Sequence, residues 1–129
     1  MSFDWIEYFK LAKELAGESD DPPNEEAKLR SSISRAYFAA HGKTRKYLLQ
    51  AKKYASIPED ISAHSFVINH FRGSADIVQR KFGSDLNHLH KLRKIADYDE
   101  VIENIKSTTQ GAFGYAERIF RYLNSSSIS

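Results

Sequence analysis

The chain contains no cysteine, so disulfide bonds, thiolate chemistry and zinc sites with cysteine ligands are excluded. Long apolar runs are also missing, and no segment approaches the roughly 18 apolar residues that a membrane span requires. The first ten residues include Asp4 and have no apolar stretch like that of a signal peptide. A cytoplasmic protein without membrane association is therefore predicted. The length of 129 residues corresponds to one ordinary domain.

There is little net charge, +2 at pH 7, but the charge is unevenly distributed. Residues 4–26 carry a net charge of −6, whereas residues 28–94 carry +10. Such an asymmetry can hold an anionic partner near one part of the surface. Alternatively, the acidic and basic segments neutralise one another in the folded protein. The sequence leaves both interpretations open.

Period-two alternation, which is typical of strands, is missing too, and the apolar spacing is helical almost throughout. The pattern predicts an all-α bundle of four or five helices. The predicted helices cover about 4–16, 23 to as far as 54, 64–71, 74–96 and 113–123. Two further boundaries stay open: an interruption of the fourth helix at 83–84, and a start of the fifth upstream of Gly111 and Gly114. Residues 1–124 are predicted to form a single domain, and "NSSSIS" leaves 125–129 as a flexible tail.

The segment "RAYFAAH", residues 35–41, places an arginine and a histidine in a helix with apolar neighbours. Arg35 and His41 lie about 120° apart around the helix, so they cannot easily converge on one atom. Small residues beside them allow a neighbouring helix to approach closely and to bring polar groups of its own. The polar stripe that includes the histidine comprises Ser34, Phe38, His41 and Arg45. His41 is either a functional residue or an ordinary histidine at the rim of the core.

The fourth predicted helix carries a second polar stripe beside its apolar face. His90, Arg93 and Asp97 fall within a sector of about 60°. Arg93 and Asp97 are spaced i, i+4 and can form an ion pair. This pair is either part of a functional site or a structural ion pair that only fixes the fold.

The basic run from Lys43 to Lys53 is interleaved with tyrosines, a combination that suits the phosphates and bases of nucleic acid. A solvated helix face has the same composition. The candidates for phosphate contacts are Lys43, Arg45 and Lys46. His88 and His90, at i, i+2, point too far apart on a helix to chelate a metal together, so no metal site is predicted. Phosphate-binding glycine loops and hydrolase motifs are absent from the sequence.

Three segments together resemble one known family. "SSISRAYFAAHGKTRKYL", residues 31–48, is similar to the S-R-A-Y-Y-A segment of the HEPN superfamily, the "higher eukaryotes and prokaryotes nucleotide-binding" domains. "LRKIADYDE", residues 92–100, is similar to the L-R-x-x-A-D-Y-D segment of one branch, and "FDWIEYFKLAKELA", residues 3–16, to its opening helix. The resemblance covers most of the chain, from about residue 3 to 123.

The resemblance implies a four- to five-helix up-and-down bundle, commonly a homodimer, in a HEPN-like domain. In many such proteins an R-x(4–6)-H motif at the dimer groove cleaves RNA without metal. Many members act in toxin–antitoxin or phage-defence systems, often beside a small nucleotidyltransferase. This chain departs from the pattern, because Arg93 is followed by Asp97 and Tyr98 instead of a histidine. Arg35 and His41 fit the motif's spacing, but on the earlier helix.

Two hypotheses for the function follow, neither of which requires a cofactor. In the first, the protein binds RNA or a nucleotide and acts as a metal-independent ribonuclease, with His41 as the base and Arg35 or Arg93 as the cation. Tyr37 would then face Asp97 and Tyr98 in a polar cluster. In the second, the protein is a non-catalytic partner that acts through dimer or heteromeric interfaces, for example with a nucleotidyltransferase.

Overall fold

Five α-helices account for most of the chain that the structure, a computed structural model, describes: residues 3–17, 22–51, 54, 56–58, 60 and 62–125. They are α1 (Ile6–Gly17), α2 (Pro22–Gln50), α3 (Ser62–Arg72), α4 (Ile77–Tyr98) and α5 (Ile105–Asn124). No strand occurs in these ranges. The prediction of an all-α helical bundle is therefore confirmed.

The longest helix, α2, is the centre of the bundle and packs against all four others. Its inner surface is built largely from small side chains, and Ala36, Ala39 and Ala40 are completely buried. Because these side chains extend little beyond the backbone, neighbouring helices can approach α2 closely. The larger residues Ile33 and Leu48, also fully buried, fill the core towards the two ends of α2.

Aromatic contacts join the outer helices to each other. Phe9 of α1 stacks on Phe120 of α5, with ring centroids 5.4 Å apart. Phe71 of α3 meets Phe82 of α4 edge-on at 4.5 Å. Offset and edge-to-face pairs of this kind add about 0.5–1.5 kcal/mol beyond the burial of their area. These contacts hold α1 and α3 to the bundle.

The fourth helix differs from its predicted bounds at its start and in its middle. It begins at Ile77 rather than near residue 74, because the Asp76 side chain caps it by accepting a hydrogen bond of 2.9 Å from the Val78 backbone N–H. It also continues without interruption through Gly83. That glycine is buried against the end of α3, where it permits the close contact of the two helices.

The structure also defines two boundaries that the sequence left open. α2 ends at Gln50 rather than reaching residue 54. α5 begins at Ile105, upstream of Gly111 and Gly114, because Asn104 caps it through a side-chain contact with the Ser107 backbone N–H. Ser125 follows the last residue of α5, and the rest of the predicted tail, 126–129, lies outside the described residues. None of the described helices combines the length and apolar character needed to cross a membrane.

Two glycine-to-alanine substitutions should change stability in opposite directions. A Cβ at Gly83 would lie 2.7 Å from the Arg72 backbone nitrogen, so Gly83→Ala should destabilise the fold by about 1–3 kcal/mol through overpacking. Gly111 lies within α5 with open space around it, so Gly111→Ala should stabilise the protein by up to about 1 kcal/mol. Urea unfolding followed by circular dichroism measures both. Shifts of the same sign would contradict the packing at Gly83.

Candidate functional site: a histidine cluster beside a cationic cleft

The hydroxyl group of Tyr37 is the centre of a polar cluster inside the bundle. Tyr37 lies on α2 and its side chain is completely buried. Its hydroxyl oxygen is 2.6 Å from Nδ1 of His64 on α3, and 3.5 Å from Nδ1 of His41 one turn along α2. The tautomer of each histidine decides which partner donates. The short contact with His64 ties the start of α3 to the middle of α2.

Three imidazole rings from three helices surround this tyrosine. The ring centroids of His41 and His64 are 4.7 Å apart, and those of His64 and His90 are 5.0 Å apart in a stacked arrangement. The ring of His90, from α4, lies 5.1 Å from that of Tyr37. We call Tyr37, His41, His64 and His90 the histidine cluster. It joins α2, α3 and α4 at one level of the bundle.

Burial keeps the histidine cluster uncharged at neutral pH. Desolvation lowers the pKa of His41 from 6.5 to about 3, and repulsion from protonated forms of His64, from Arg45 and from protonated His90 adds to the effect. The same cause, with His64 next in importance, lowers the pKa of His90 to about 4. Burial also lowers the pKa of His64 and raises that of the Tyr37 hydroxyl. Each neutral ring therefore offers one hydrogen-bond donor and one acceptor.

An ion pair lies next to the histidine cluster at the end of α4. The Arg93 Nε atom is 2.8 Å from Oδ2 of Asp97, and the two side chains are 16% and 26% exposed. The Nε atom is buried, but its N–H lacks hydrogen-bond geometry towards any described acceptor, so the contact is ionic. Asp97 also accepts a 3.3 Å hydrogen bond from the Ser34 hydroxyl of α2. The Arg93 guanidinium group lies 4.9 Å over the ring of Phe38.

A second arginine fixes the C-terminal end of α4. Arg30 of α2 donates hydrogen bonds of 3.0 and 2.6 Å to the backbone carbonyls of Ala96 and Asp99, and one of 3.2 Å to that of Glu100. A cation at this position satisfies carbonyls that have no partner within the helix and complements its dipole. Arg30 thus positions the segment that carries Arg93 and Asp97.

An open cleft of about 550 Å³ lies between the N-terminal segment, α2 and the start of α3. We call it the main cleft. Two members of the histidine cluster, His41 and His64, form part of its wall. Its other lining residues are aromatic and apolar (Phe3, Trp5, Phe38, Gly42, Leu49, Pro58 and Ala63), cationic (Arg45 and Lys46) and polar or acidic (Gln50 and Asp60). The cleft therefore combines aromatic surfaces, positive charge and neutral imidazoles.

A smaller cavity of about 240 Å³, the side pocket, lies next to the main cleft. The two cavities have Trp5, Lys46 and Gln50 in common. The remaining residues that line the side pocket are Asp4, Lys43, Tyr47, Leu123 and Asn124. Two lysines face a single carboxylate there, so this pocket also favours anions.

The structure brings some of the predicted site residues together and separates others. His41, Arg45 and Lys46 line the main cleft, and Lys43 lines the side pocket. Tyr37 lies behind the wall of the main cleft, in the histidine cluster. Arg93 and Asp97 form the predicted pair outside the cleft, and Tyr98 is 72% exposed beside them. Arg35 is exposed, and no contact within the described part of the chain joins it to His41 or Arg93.

Sequence reasoning missed three important residues: His64, Trp5 and Arg30. His64 is a lone histidine near the start of a short helix, and no local pattern connects it to Tyr37, 27 positions earlier. Trp5 is spaced helically with Phe9 and Ala12, and a tryptophan in such an apolar stripe normally belongs to the core. Arg30 follows Glu26 by four residues, which suggests a surface ion pair rather than contact with a carbonyl 66 residues away.

His88 and His90 pack against different helices. The ring of His88 stacks on that of Tyr115 of α5 at 5.3 Å, whereas His90 belongs to the histidine cluster. Within the described ranges, no group of three histidine, aspartate or glutamate side chains is arranged to hold a metal ion.

No family model, curated protein or solved structure matches this chain. The candidate site must therefore be interpreted from its own geometry.

The Asp97→Ala variant should be less stable than the Asp99→Ala variant. Asp97 contacts Arg93 and Ser34, so its removal leaves a half-buried guanidinium group unpaired, at a cost of about 1–3 kcal/mol. The Asp99 side chain is exposed, and its loss should cost less than about 1 kcal/mol. Thermal unfolding compares the two variants. Equal melting temperatures would show that Asp97 is merely solvated.

Stability should fall as the pH decreases from about 6.5 towards 4. The unfolded chain takes up protons on His41 and His90 near pH 6.5, whereas the folded protein takes them up only near pH 3 and 4. Protons that bind only the unfolded state favour unfolding, so each ring should lower the free energy of unfolding by about 1.4 kcal/mol per pH unit within this window.

Urea unfolding at several pH values tests this dependence with a matched pair of variants. His90→Asn removes one of the titrating rings of the histidine cluster and should reduce the pH slope by about one proton. His88→Asn changes an exposed ring outside the histidine cluster and serves as the control. Parallel pH profiles for wild type and His90→Asn would contradict the burial of a neutral His90.

Proposed function

We propose that this protein is a HEPN-like helical protein that binds RNA or a nucleotide in the main cleft. The observation that carries the proposal is the composition of that cleft, where Phe3, Trp5 and Phe38 line the same cavity as Arg45 and Lys46. Aromatic rings provide stacking surfaces for bases, and guanidinium and ammonium groups contact phosphates. The resemblance of residues 31–48 and 92–100 to HEPN segments is independent support.

The neutral imidazoles of the main cleft suit the recognition of a base. His41 and His64 lie on the cleft wall, and burial keeps both uncharged at neutral pH. A neutral ring can accept as well as donate a hydrogen bond, which matches the mixed donors and acceptors at the edge of a base. Asp60 adds an acceptor at the same cavity. The cationic residues would bind the phosphate, and this contact should weaken with salt.

The proposal can be extended from binding to metal-free cleavage of the bound RNA, which makes further demands on the site. A general base works best with a pKa near the operating pH, and burial lowers that of His41 to about 3. His64 lies on the same wall and is less buried, so it is the better-placed base. Arg35 and Arg93, the cations predicted from the sequence, do not line the main cleft. The geometry therefore favours binding over cleavage.

Binding should depend on the cations of the main cleft. Arg45→Gln removes a charge from the cavity and should weaken the binding of a short single-stranded RNA about tenfold. The slope of log affinity against log salt should become shallower by about 0.7. Lys91→Gln removes an exposed charge outside the cleft and is the control. Fluorescence anisotropy at several salt concentrations provides the measurement, and equal losses in both variants would point to non-specific attraction.

The same RNAs, incubated in EDTA, test cleavage. Products that appear without metal and disappear in His41→Ala and His64→Ala would support the ribonuclease form of the proposal, with a loss of about 10²–10⁴ in rate. Intact RNA together with salt-sensitive binding would restrict the function to binding. If neither RNA cleavage nor salt-sensitive binding is detected, the main cleft does not bind RNA, and the alternative function described below remains.

The alternative function is that of a non-catalytic partner in a toxin–antitoxin or defence module in the cytoplasm. Exposed apolar side chains at the end of α4 favour it: Tyr98 and Val101 are 72% and 78% exposed. Tyr98 ends the helix whose C-terminal end Arg30 and the Arg93–Asp97 pair hold in place, and Val101 follows three residues later. The two exposed side chains would form an apolar contact surface for a partner. We propose a second copy of the chain as the first partner and a nucleotidyltransferase as the other.

Light scattering tests the dimer directly. The wild-type chain should have the mass of two copies at high micromolar concentration, and replacement of both Tyr98 and Val101 by serine should shift it towards one. Ile77→Ser provides a matched control, because Ile77 is 71% exposed at the opposite end of α4. A wild-type monomer, or a dimer that only Ile77→Ser disrupts, would exclude this surface as the interface.

A further inference from the structure

We propose that the main cleft and the side pocket together bind a dinucleotide unit of single-stranded RNA, with one nucleoside in each cavity and Trp5 at the boundary between them. The inference rests on the function proposed above and deepens it, because it specifies the length of the ligand. The two cavities are adjacent, and Trp5 is the aromatic residue that lines both of them.

The indole of Trp5 is held in place on the surface of α2. It lies directly against Gly42, where any Cβ would collide with the indole ring. Phe3 and Tyr8 also contact the indole in T-shaped arrangements, with ring centroids 5.0 and 5.5 Å away. A ring fixed in this way loses little freedom when a base stacks on it, so the contact is preorganised. The indole is also only half-buried, which leaves surface for a ligand.

The cationic side chains are distributed along the two cavities in a way that matches the phosphates of a short nucleic-acid strand. Arg45 lines the main cleft, Lys43 lines the side pocket, and Lys46 lines both. A dinucleotide carries one phosphate between its two nucleosides, and this phosphate would lie where the cavities meet, next to Lys46. A 5′-terminal phosphate would lie at Arg45, whereas Lys43 would contact the second nucleotide. Positive charge along a groove with interleaved aromatic rings is typical of single-strand binding.

Each cavity also contains one carboxylate that can accept hydrogen bonds from a nucleoside. Oδ1 of Asp4 accepts from the Ile6 backbone N–H, and Oδ1 of Asp60 accepts from Ser62, so both carboxylates are held by adjacent backbone. The Oδ2 atom of each makes no hydrogen bond within the described ranges. Carboxylate oxygens accept from exocyclic amino groups and ribose hydroxyls. One acceptor in each cavity matches one nucleoside in each.

The volumes favour a single extended ligand over two separate ones. The main cleft, about 550 Å³, lies within the range of about 300–1,000 Å³ that is usual for small-molecule sites. The side pocket, about 240 Å³, falls below that range. It is therefore better suited to extend the binding of a ligand that the main cleft already holds.

Three adenine ligands separate the effect of a second base from that of additional charge. They are adenosine 5′-monophosphate, adenosine 3′,5′-bisphosphate and the 5′-phosphorylated dinucleotide pApA, and calorimetry measures their affinities. The dinucleotide should bind at least about tenfold more tightly than either single-base ligand, because its second nucleoside occupies the side pocket next to Trp5. Trp5 is the single tryptophan of the chain, so its fluorescence reports directly on this step. The dinucleotide should quench it most.

Two variants assign the cavities to the two nucleotides. Lys43→Gln should weaken the binding of the dinucleotide several-fold and leave that of the monophosphate unchanged, whereas Arg45→Gln should weaken the binding of both ligands.

Two further variants test the role of Trp5. Trp5→Leu should abolish the higher affinity for the dinucleotide, with circular dichroism as the check on folding. Lys91→Gln should change nothing, since this residue is exposed outside both cavities.

The outcomes distinguish this inference from the function on which it rests. Equal affinities for the monophosphate and the dinucleotide would overturn the inference and leave nucleotide binding in place. A bisphosphate that binds as tightly as the dinucleotide would overturn it as well, because charge alone would then account for the gain. No binding of any of the three ligands, or of longer RNA, would overturn the inference and the proposed function together.

Discussion

The buried hydroxyl group of Tyr37 sets the constraint on which the rest of the site depends. A hydroxyl removed from water costs stability unless it finds a hydrogen-bond partner, and this one lies in the middle of the bundle. Its partner is Nδ1 of His64, 2.6 Å away on α3. The requirement fixes the start of α3 against α2, and the main cleft lies along that junction. The cleft is thus a consequence of satisfying one polar atom in the core.

The same burial determines which chemistry the histidine cluster can perform. Rings 4.7–5.0 Å apart cannot all become charged without repulsion, and the pKa of His41 and of His90 falls well below neutrality. A neutral imidazole is a versatile hydrogen-bonding group, but a pKa of about 3 makes His41 a poor proton acceptor in catalysis. The cluster shapes the cleft wall, and under the proposed function it would present fixed donors and acceptors to the ligand.

Helical periodicity was sufficient to predict the all-α bundle and the residues that share a face on one helix. It placed Ser34, Phe38 and His41 on one stripe of α2, and His90, Arg93 and Asp97 on one of α4. It did not predict contacts between distant helices: the hydrogen bonds of Arg30 with the end of α4 and of Tyr37 with His64 depend on tertiary packing. The start of α4 was predicted too early for a local reason, because apolar spacing does not reveal the side-chain cap Asp76. The cap Asn104 likewise fixes the start of α5, which apolar spacing had left open.

Phe38 connects the two regions that the sequence suggested as one site. Its ring lines the main cleft, and the Arg93 guanidinium group lies over that ring at 4.9 Å. Asp97 holds this guanidinium group, and Arg30 holds the helix end that carries both residues. Because a cation on a ring restrains its orientation, the end of α4 supports the aromatic wall of the cleft without entering it. Under the proposed function, Arg93 would accordingly act on the ligand through Phe38, as a positioning residue, and the cations of α2 that line the cleft would contact the ligand directly.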